Sequence, residues 1–270
     1  MLIAIGQCKQ GDGARPIYLS RTAFEDLRLG MSVTKLQRVL RVCNFGPVPV
    51  KYAEALSLQE GLAELCKQRQ APDTLLHLQH ARVYTLGKRG QAAHFKVPQS
   101  RLEEEGFDIY NTGRGGETTF HGPGQIVLYP VVNLRRLGLG ARAYVEALED
   151  CMVDACSEHG IHARGRVPGR TGVWVDDRKI GAVGVKISSG VASHGIAVNV
   201  STDLRYFDNI VPCGIEDCVV TSVEKETEQH VDIEDFGHLL VQQFYKRLNY
   251  KNVTSIASSE LFAPGAMAYT

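Results

Sequence analysis

Between Gln125 and Leu134 the chain is apolar at almost every position. This run is far shorter than the roughly 20 apolar residues that a membrane-spanning helix needs, and a Gly122-Pro123-Gly124 loop precedes it. It reads as a strand buried on both faces, so the fold must cover a sheet from two sides.

Elements suited to that covering are visible in the apolar spacing. Ala55, Leu58, Leu62, Leu65 and Cys66 recur at helical intervals over residues 52–68, opposite Glu54, Gln59 and Lys67. The clearest helix is predicted over 141–159, with Tyr144, Leu148, Met152, Ala155 and Cys156 on one stripe and Gly160 after its end. A last amphipathic helix covers about 233–248 through Phe236, Leu239, Leu240, Phe244 and Leu248. Further strands are predicted at Thr74–Gln79, Val83–Leu86, Phe107–Asn111 and Gly195–Val200. Gly172–Val175 and Lys179–Ile187, joined by Asp176-Asp177, read as a hairpin.

Helices and strands are interspersed without strict alternation. That predicts an α/β (α+β) fold, a mixed β-sheet flanked by helices with no doubly wound core. With no repeats and no internal linker, one domain is expected at residues 41–250, followed by a C-terminal tail at 251–270.

Residues 1–40 differ from the rest. Lys9, Arg15, Arg21, Arg28, Lys35 and Arg38, with Arg41 at the edge, face only Asp12, Glu25 and Asp26. Ser20, Thr22, Ser32 and Thr34 are interspersed, and Val33–Val42 is predicted to form a basic amphipathic turn or two. The profile fits either an organelle transit peptide or a poorly ordered N-terminal extension.

Thirty basic and thirty acidic residues leave no net charge to favour nucleic acid or an anionic surface. The seven cysteines are odd in number and irregularly spaced, which argues against a disulfide framework and for a reducing compartment. There is no CxxC or HExxH. Cys213 with Cys218, and Cys151/Cys156 with His159/His162, are more loosely spaced than structural zinc ligands. Neither a metal nor a cofactor is expected, and neither nucleic acid nor a membrane is an expected partner.

Three stretches carry possible chemistry. Gly113–Gln125 is dense in glycine, which lets backbone N–H groups approach a ligand, with Arg114 and His121 as polar anchors. It is not GxGxxG and no GK[ST] follows, so a nucleotide-phosphate cradle is unsupported; a tight loop is the alternative. In Asp177–Lys186, Lys179 opens a strand of small or apolar neighbours. Held there, it would have a lowered pKa or lend its charge to a neighbour; in solvent it would do neither. In Ser193–Ile215, Pro212 and Gly214 bracket Cys213 in a sharp turn that favours an exposed sulfur. A nearby cation would draw such a thiol below its ordinary pKa of roughly 8.5. Cys8, Cys43, Cys66, Cys151 and Cys156 read as small core fillers, and Cys218 as either a core filler or a second surface thiol.

Taken together, these stretches resemble the lipoyl(octanoyl) transferase family. The likeness is carried by Arg114-Gly115-Gly116 through Phe120-His121-Gly122-Pro123-Gly124-Gln125, by Thr171–Trp174 running into Arg178–Gly181, and by His194–Asn199 through Ile210–Ile215. It extends in order from about Val48 to Val223 and includes Tyr84-Thr85-Leu86-Gly87. The resemblance implies a biotin/lipoate protein ligase-like catalytic domain that transfers an octanoyl group from octanoyl-acyl carrier protein. The implied acceptor is a lysine on the lipoyl domains of 2-oxo acid dehydrogenase E2 subunits and of the glycine cleavage H protein, the first step of protein lipoylation.

By the same resemblance, Cys213 forms the acyl-thioester intermediate, and Lys179 lowers its pKa and handles the proton. Arg114, Gly115, Gly116, Glu117, Thr118, Thr119, Phe120 and His121 would line the acyl pocket, with Ala182, Val183, Gly184, Gly195, Ile196 and Ala197. The role of lipoylation in organelles points to the mitochondrion, with plastid or cytoplasm as alternatives. One departure stands out: His80-Ala81-Arg82 lacks the proline often found there, in a loop expected to be peripheral.

Three other readings remain open. An ATP-dependent lipoate or biotin ligase would share the fold; Arg164–Arg170 is similar to the biotin ligase glycine-arginine loop but follows the long helix instead of preceding it. A cysteine hydrolase would pair Cys213 with His121 or His194. A non-catalytic scaffold would use neither Cys213 nor Lys179.

Overall fold

A computed structural model describes residues 3–8, 15–19, 38–214 and 218–261, with the side chains of 3–8, 15–19, 213, 259 and 260 outside the description. In chain order the first strands are β1 (Ile3–Cys8), β2 (Arg15–Leu19), β3 (Val39–Asn44), β4 (Asp73–Leu78), β5 (Val83–Leu86), β6 (Asp108–Asn111) and β7 (Thr118–His121). They are followed by β8 (Gln125–Asn133), β9 (Val173–Val175), β10 (Arg178–Ser188), β11 (Val191–Asn199), β12 (Val219–Val220) and β13 (Asn252–Ala257). Among the described residues the three long helices are α1 (Tyr52–Lys67), α2 (Ala141–Ser157) and α3 (Ile233–Arg247).

The main sheet runs β12-β10-β11-β8-β4-β3-β13, with β9 also paired to β10. Parallel pairings (β3 with β4 and β13, β10 with β12) sit beside antiparallel ones (β8 with β4 and β11, β10 with β11). This is the mixed sheet expected. A smaller sheet, β6-β5-β7, packs around Tyr84, Phe107, Phe120 and Phe207, and β1 pairs antiparallel with β2.

The apolar run is β8, and its place explains its composition. Ile126, Leu128 and Val132 share one core with Tyr144, Leu148 and Met152 of α2 and Phe236, Leu240 and Phe244 of α3. Val127, Tyr129 and Val131 share the other with Ala55, Leu58 and Leu62 of α1. Successive strand residues face opposite ways, so covering both faces removes any polar alternation. Each such aliphatic side chain contributes about 1.5–3 kcal/mol on burial.

The structure departs from the sequence reading at the ends of the domain. Val39–Asn44 is a strand where a basic helical turn was expected, because Leu40 and Cys43 are fully buried beside β4. Asn252–Ala257, read as part of a tail, pairs parallel with β3 as the sheet edge. It is mostly exposed, so no apolar pattern announced it. β11 begins at Val191, four residues before the predicted start, since Ser193 and His194 hide its apolar character. Most of the transit-like segment, and the Cys8 side chain, lie outside the described residues.

One buried ion pair secures β4 to the turn after β8. Arg136 Nη2 lies 2.6 Å from Asp73 Oδ1, and the Asp73 side chain is 1% exposed. Asp73 also accepts from Asn133 N at 2.8 Å and from Tyr250 Oη at 2.7 Å. Burial pushes the Asp73 carboxyl upward although Arg136 opposes it. Arg136→Met would leave that carboxylate buried without its counter-charge, a loss expected to cost about 3–5 kcal/mol. A urea midpoint essentially unchanged from the parent protein would contradict this.

Candidate active site

A cleft of about 270 Å³ opens where β10 and β11 meet the small sheet. Arg114, Gly115, Gly116, Glu117, Thr118, Thr119 and His121 line one side, and Lys179, Ala182, Val183, Gly184, Gly195, Ile196 and Ala197 line the other. Phe120 alone of the predicted pocket residues is not among the lining residues. Fully buried, it packs against Tyr84, Tyr206 and Phe207 in the aromatic core of the small sheet.

Lys179 is 6% exposed at the start of β10. Its Nζ donates to the Thr171 carbonyl at 2.9 Å and sits 5.3 Å from the centre of the Trp174 ring, a cation–π distance. A small recess of about 20 Å³ continues from the cleft, lined by Lys179, Thr119, Ala182, Ala197 and Pro212. The Pro212–Gly214 turn that carries Cys213 is held to its neighbours through Val211 N, which donates to the His94 carbonyl at 2.7 Å. Cys213 thus follows directly on a residue of the recess; its own side chain is outside the described residues.

A chain of side-chain hydrogen bonds backs the cleft. His121 Nδ1 donates to Gln125 Oε1 at 2.7 Å; Gln125 Nε2 donates to Asn199 Oδ1 at 2.9 Å; Asn199 Nδ2 donates to the Thr221 carbonyl at 3.0 Å. Thr221 N in turn donates to the Lys179 carbonyl at 2.9 Å. With both Gln125 amide hydrogens directed to carbonyl groups, the proton of His121 is assigned to Nδ1 and its lone pair to Nε2. Arg114 is buried and fixed by Thr85, donating from Nη2 to both its carbonyl and its hydroxyl at 2.7 Å.

The histidines around the cleft are neutral near pH 7. Burial, with His80 and Arg114 nearby, pulls His121 down to about 3. Burial likewise lowers His194 to about 3 and His80 to about 4. A base whose conjugate acid has so low a pKa is poorly matched to proton transfer at neutral pH, which weighs against a His-assisted cysteine hydrolase. His194 sits in mid-strand with φ of 56°, and β11 breaks its pairing with β8 between Ala192 and Ile196. At the same point the strands press so close that a Cβ on Gly195 would lie 2.2 Å from the Leu128 carbonyl oxygen. Only glycine fits there.

Several residues of the site were not legible in the sequence. Tyr52 and Tyr129 line the cleft, and the Tyr129 hydroxyl donates to His80 Nε2 at 2.8 Å while His80 Nδ1 donates to the Val50 carbonyl at 2.9 Å. The loop expected to be peripheral therefore contributes a fully buried support for the site. Gly169 and Arg170, in the loop likened to that of biotin ligases, also line the cleft, as does Thr171 next to them. Glu149 of α2 holds that loop in place. It is 3% exposed, and its two oxygens accept from Arg166 N at 2.9 Å and Gly172 N at 2.8 Å. Cys43, Cys66, Cys151 and Cys156 are buried core fillers as expected, and Cys218 is half-buried; burial pushes Cys66 and Cys156 up to about 12.

Residues 51–245 match the family described as the lipoyl protein ligase A/B catalytic domain. The mitochondrial octanoyltransferase LIP2 of Arabidopsis thaliana is 48% identical over 217 residues, covering 80% of this chain and 92% of that protein. The human mitochondrial octanoyl-[acyl-carrier-protein]:protein N-octanoyltransferase LIPT2 is 44% identical over 209 residues, covering 74% and 89%. Among solved structures, lipoate-protein ligase A bound with ATP superposes with a TM-score of 0.61 over 83% of this chain and 90% of that one. At 17% identity this likeness speaks to the fold alone.

Two outcomes follow from the geometry. Glu149→Ala orphans two backbone N–H groups, at about 1–3 kcal/mol for each one left buried, and should speed amide hydrogen exchange across residues 165–172. Unchanged protection there would show that the loop is held by other contacts. The neutral histidines set an acid limit. Their folded values of about 3 to 4 lie below the unfolded value near 6.5, so unfolding takes up protons. Their cost is absent above pH 6.5 and grows as pH falls toward 4. The melting temperature should fall through that window, less steeply in His121→Gln; identical slopes would show that His121 is not held neutral.

Proposed function

Because the chain belongs to the family of lipoyl protein ligase A/B catalytic domains, we propose that its cleft moves an octanoyl group through a thioester on Cys213, assisted by Lys179. The chain is an octanoyltransferase, taking octanoyl from its acyl carrier protein and passing it to protein in the course of lipoylation. The acceptor in this reading is a lysine on the lipoyl domains of 2-oxo acid dehydrogenase E2 subunits and on the glycine cleavage H protein. The mitochondrion is the proposed compartment, in keeping with the mitochondrial relatives from Arabidopsis and human. No described helix is long and apolar enough to cross a membrane.

The observation that carries the mechanism is the shared recess: Lys179 and Pro212, the residue before Cys213, line one extension of the cleft. A lysine cation beside a thiol favours the thiolate, the form that attacks. The Cys213 thiolate adds to the octanoyl carbonyl, and the carrier's sulfur leaves as a thiol with the proton that the Lys179 ammonium gives it, which leaves Lys179 as a neutral amine. One thioester replaces another, so the step is nearly isoenergetic and needs no ATP. The acceptor lysine, after giving up a proton to the Lys179 amine, then attacks the acyl-enzyme. An amide forms, its nitrogen gives up the second proton to solvent, Cys213 leaves as thiolate beside the recharged Lys179, and the step is downhill. Covalent catalysis thereby divides one difficult transfer into two easier ones. Ala182–Gly184 and Gly195–Ala197 supply the small, apolar wall against which the alkyl chain lies.

Intact-mass spectrometry after incubation with octanoyl-acyl carrier protein tests this. The parent protein should gain one octanoyl group without ATP, and Cys213→Ala should gain none. Lys179→Ala should remain folded and transfer at least roughly 100-fold more slowly, the low end of what a positioned acid–base group supplies. An equal adduct on Cys213→Ala overturns the thioester route; a strict need for ATP would favour the ligase chemistry.

A further inference from the structure

Far along the chain from the cleft residues, α3 brings two side chains against one from β4. We propose that His77, Glu234 and His238 bind a single divalent transition-metal ion of the zinc class. One nitrogen from each imidazole and one carboxylate oxygen lie within 4.8 Å of one another. Two imidazoles and a carboxylate form a donor set that suits zinc and its first-row neighbours better than magnesium or calcium.

The three positions are built toward one another. Glu234 and His238 stand four residues apart on α3, which places them on the same face of the helix. His77 rises from β4 and is 1% exposed. Its Nδ1 is buried without a hydrogen-bond partner among the described residues, a state that natural cores rarely tolerate. The helix can reach it because position 237 is glycine: a Cβ there would lie 2.2 Å from His77 Nε2. The two imidazole rings meet edge-on, with centres 5.9 Å apart.

Asn44 orients the open side of the cluster. Its Oδ1 accepts from Gly46 N at 2.8 Å, which turns Nδ2 toward Glu234 Oε2 and His238 Nε2, each at 3.4 Å. A donor at His238 Nε2 assigns the lone pair to that nitrogen, which is the lone pair a cation would use. Contacts of 3.4 Å are weak and easily displaced. Metal bonds of about 2.0–2.1 Å at tetrahedral angles bring ligand atoms to roughly 3.3 Å apart. Small rotations of half-buried Glu234 and exposed His238 toward the fixed His77 would achieve this. The ion would then pin the first turns of α3 to the sheet.

The test uses the full chain, stripped with chelator and titrated with Co²⁺, followed by Zn²⁺ displacement. We expect one Co²⁺ per chain, with visible d–d bands, no thiolate charge-transfer band, and complete displacement by Zn²⁺. His238→Ala and Glu234→Gln should each weaken binding by roughly 100-fold or more, exceeding the 10–100-fold typical of losing an outer-shell partner. Both positions are at least partly exposed, so these variants should keep the parent's circular dichroism and octanoyl-transfer rate even if His77→Asn fails to fold. Failure to bind Co²⁺, binding unchanged in His238→Ala, or thiolate bands that place the ion on cysteines would each overturn the proposal. None of these results depends on the route of acyl transfer.

Discussion

The two walls of the cleft are tied together by a run of buried amides. His121 on β7 reaches Gln125 on β8, Gln125 reaches Asn199 on β11, and Asn199 reaches the backbone at Thr221, which is itself bonded to the backbone of Lys179. Each member leans on a different strand, so none can shift without leaving a desolvated donor or acceptor behind. The position of the Lys179 backbone is thus coupled to the glycine-rich stretch more than fifty residues earlier. A cleft held in this way is organised before any ligand arrives, which is the condition for electrostatic stabilisation by fixed groups.

Charge in the cleft is sorted by burial. His80, His121 and His194 are kept neutral, so the basic side chains that remain in the lining are Arg89, Arg114, Arg170 and Lys179. Arg114 is committed to Thr85 and shapes the wall. Lys179 donates from its amine to the Thr171 carbonyl. In the proposed thioester route, a positive group so placed would favour the anionic species that form, a thiolate and the oxygen of a tetrahedral adduct. Elsewhere, the high pKa values of Cys66 and Cys156 keep those thiols from competing as nucleophiles.

Much of this was legible in the chain. The apolar run of β8 and the stripes of α1, α2 and α3 follow from periodicity, because each keeps its faces in one environment along its length, and the hairpin of β9 and β10 follows from its Asp176-Asp177 turn. The glycine-rich stretch and the segments around Lys179 and Gly195 stood out as motifs and converge on one cleft, except that Phe120 packs into the aromatic core of the small sheet. What escaped notice was whatever depends on distant partners. Glu149 reads as one more polar residue of a helix, yet it is buried beneath the loop at 165–172. Tyr129 sits inside an apolar run, with its hydroxyl directed to His80. His77 and His238 lie 161 positions apart, and no local spacing rule connects them. The edge strand β13 was missed because an exposed strand carries no apolar alternation.

The closeness of β11 to β8 at Gly195 bears on how this family can change its diet. A pocket's depth is ordinarily altered by exchanging a small residue for a larger one, and glycine offers the greatest range. Here that route is shut, since any added carbon would collide with the neighbouring strand's carbonyl before it could intrude on a ligand. In the proposed placement of the alkyl chain, preference for shorter or longer chains would instead be set by side chains that already border the open space, such as Ala182, Val183, Ile196 and Ala197. The glycine beside them is held to its identity by the neighbouring strand and not by what the cleft contains.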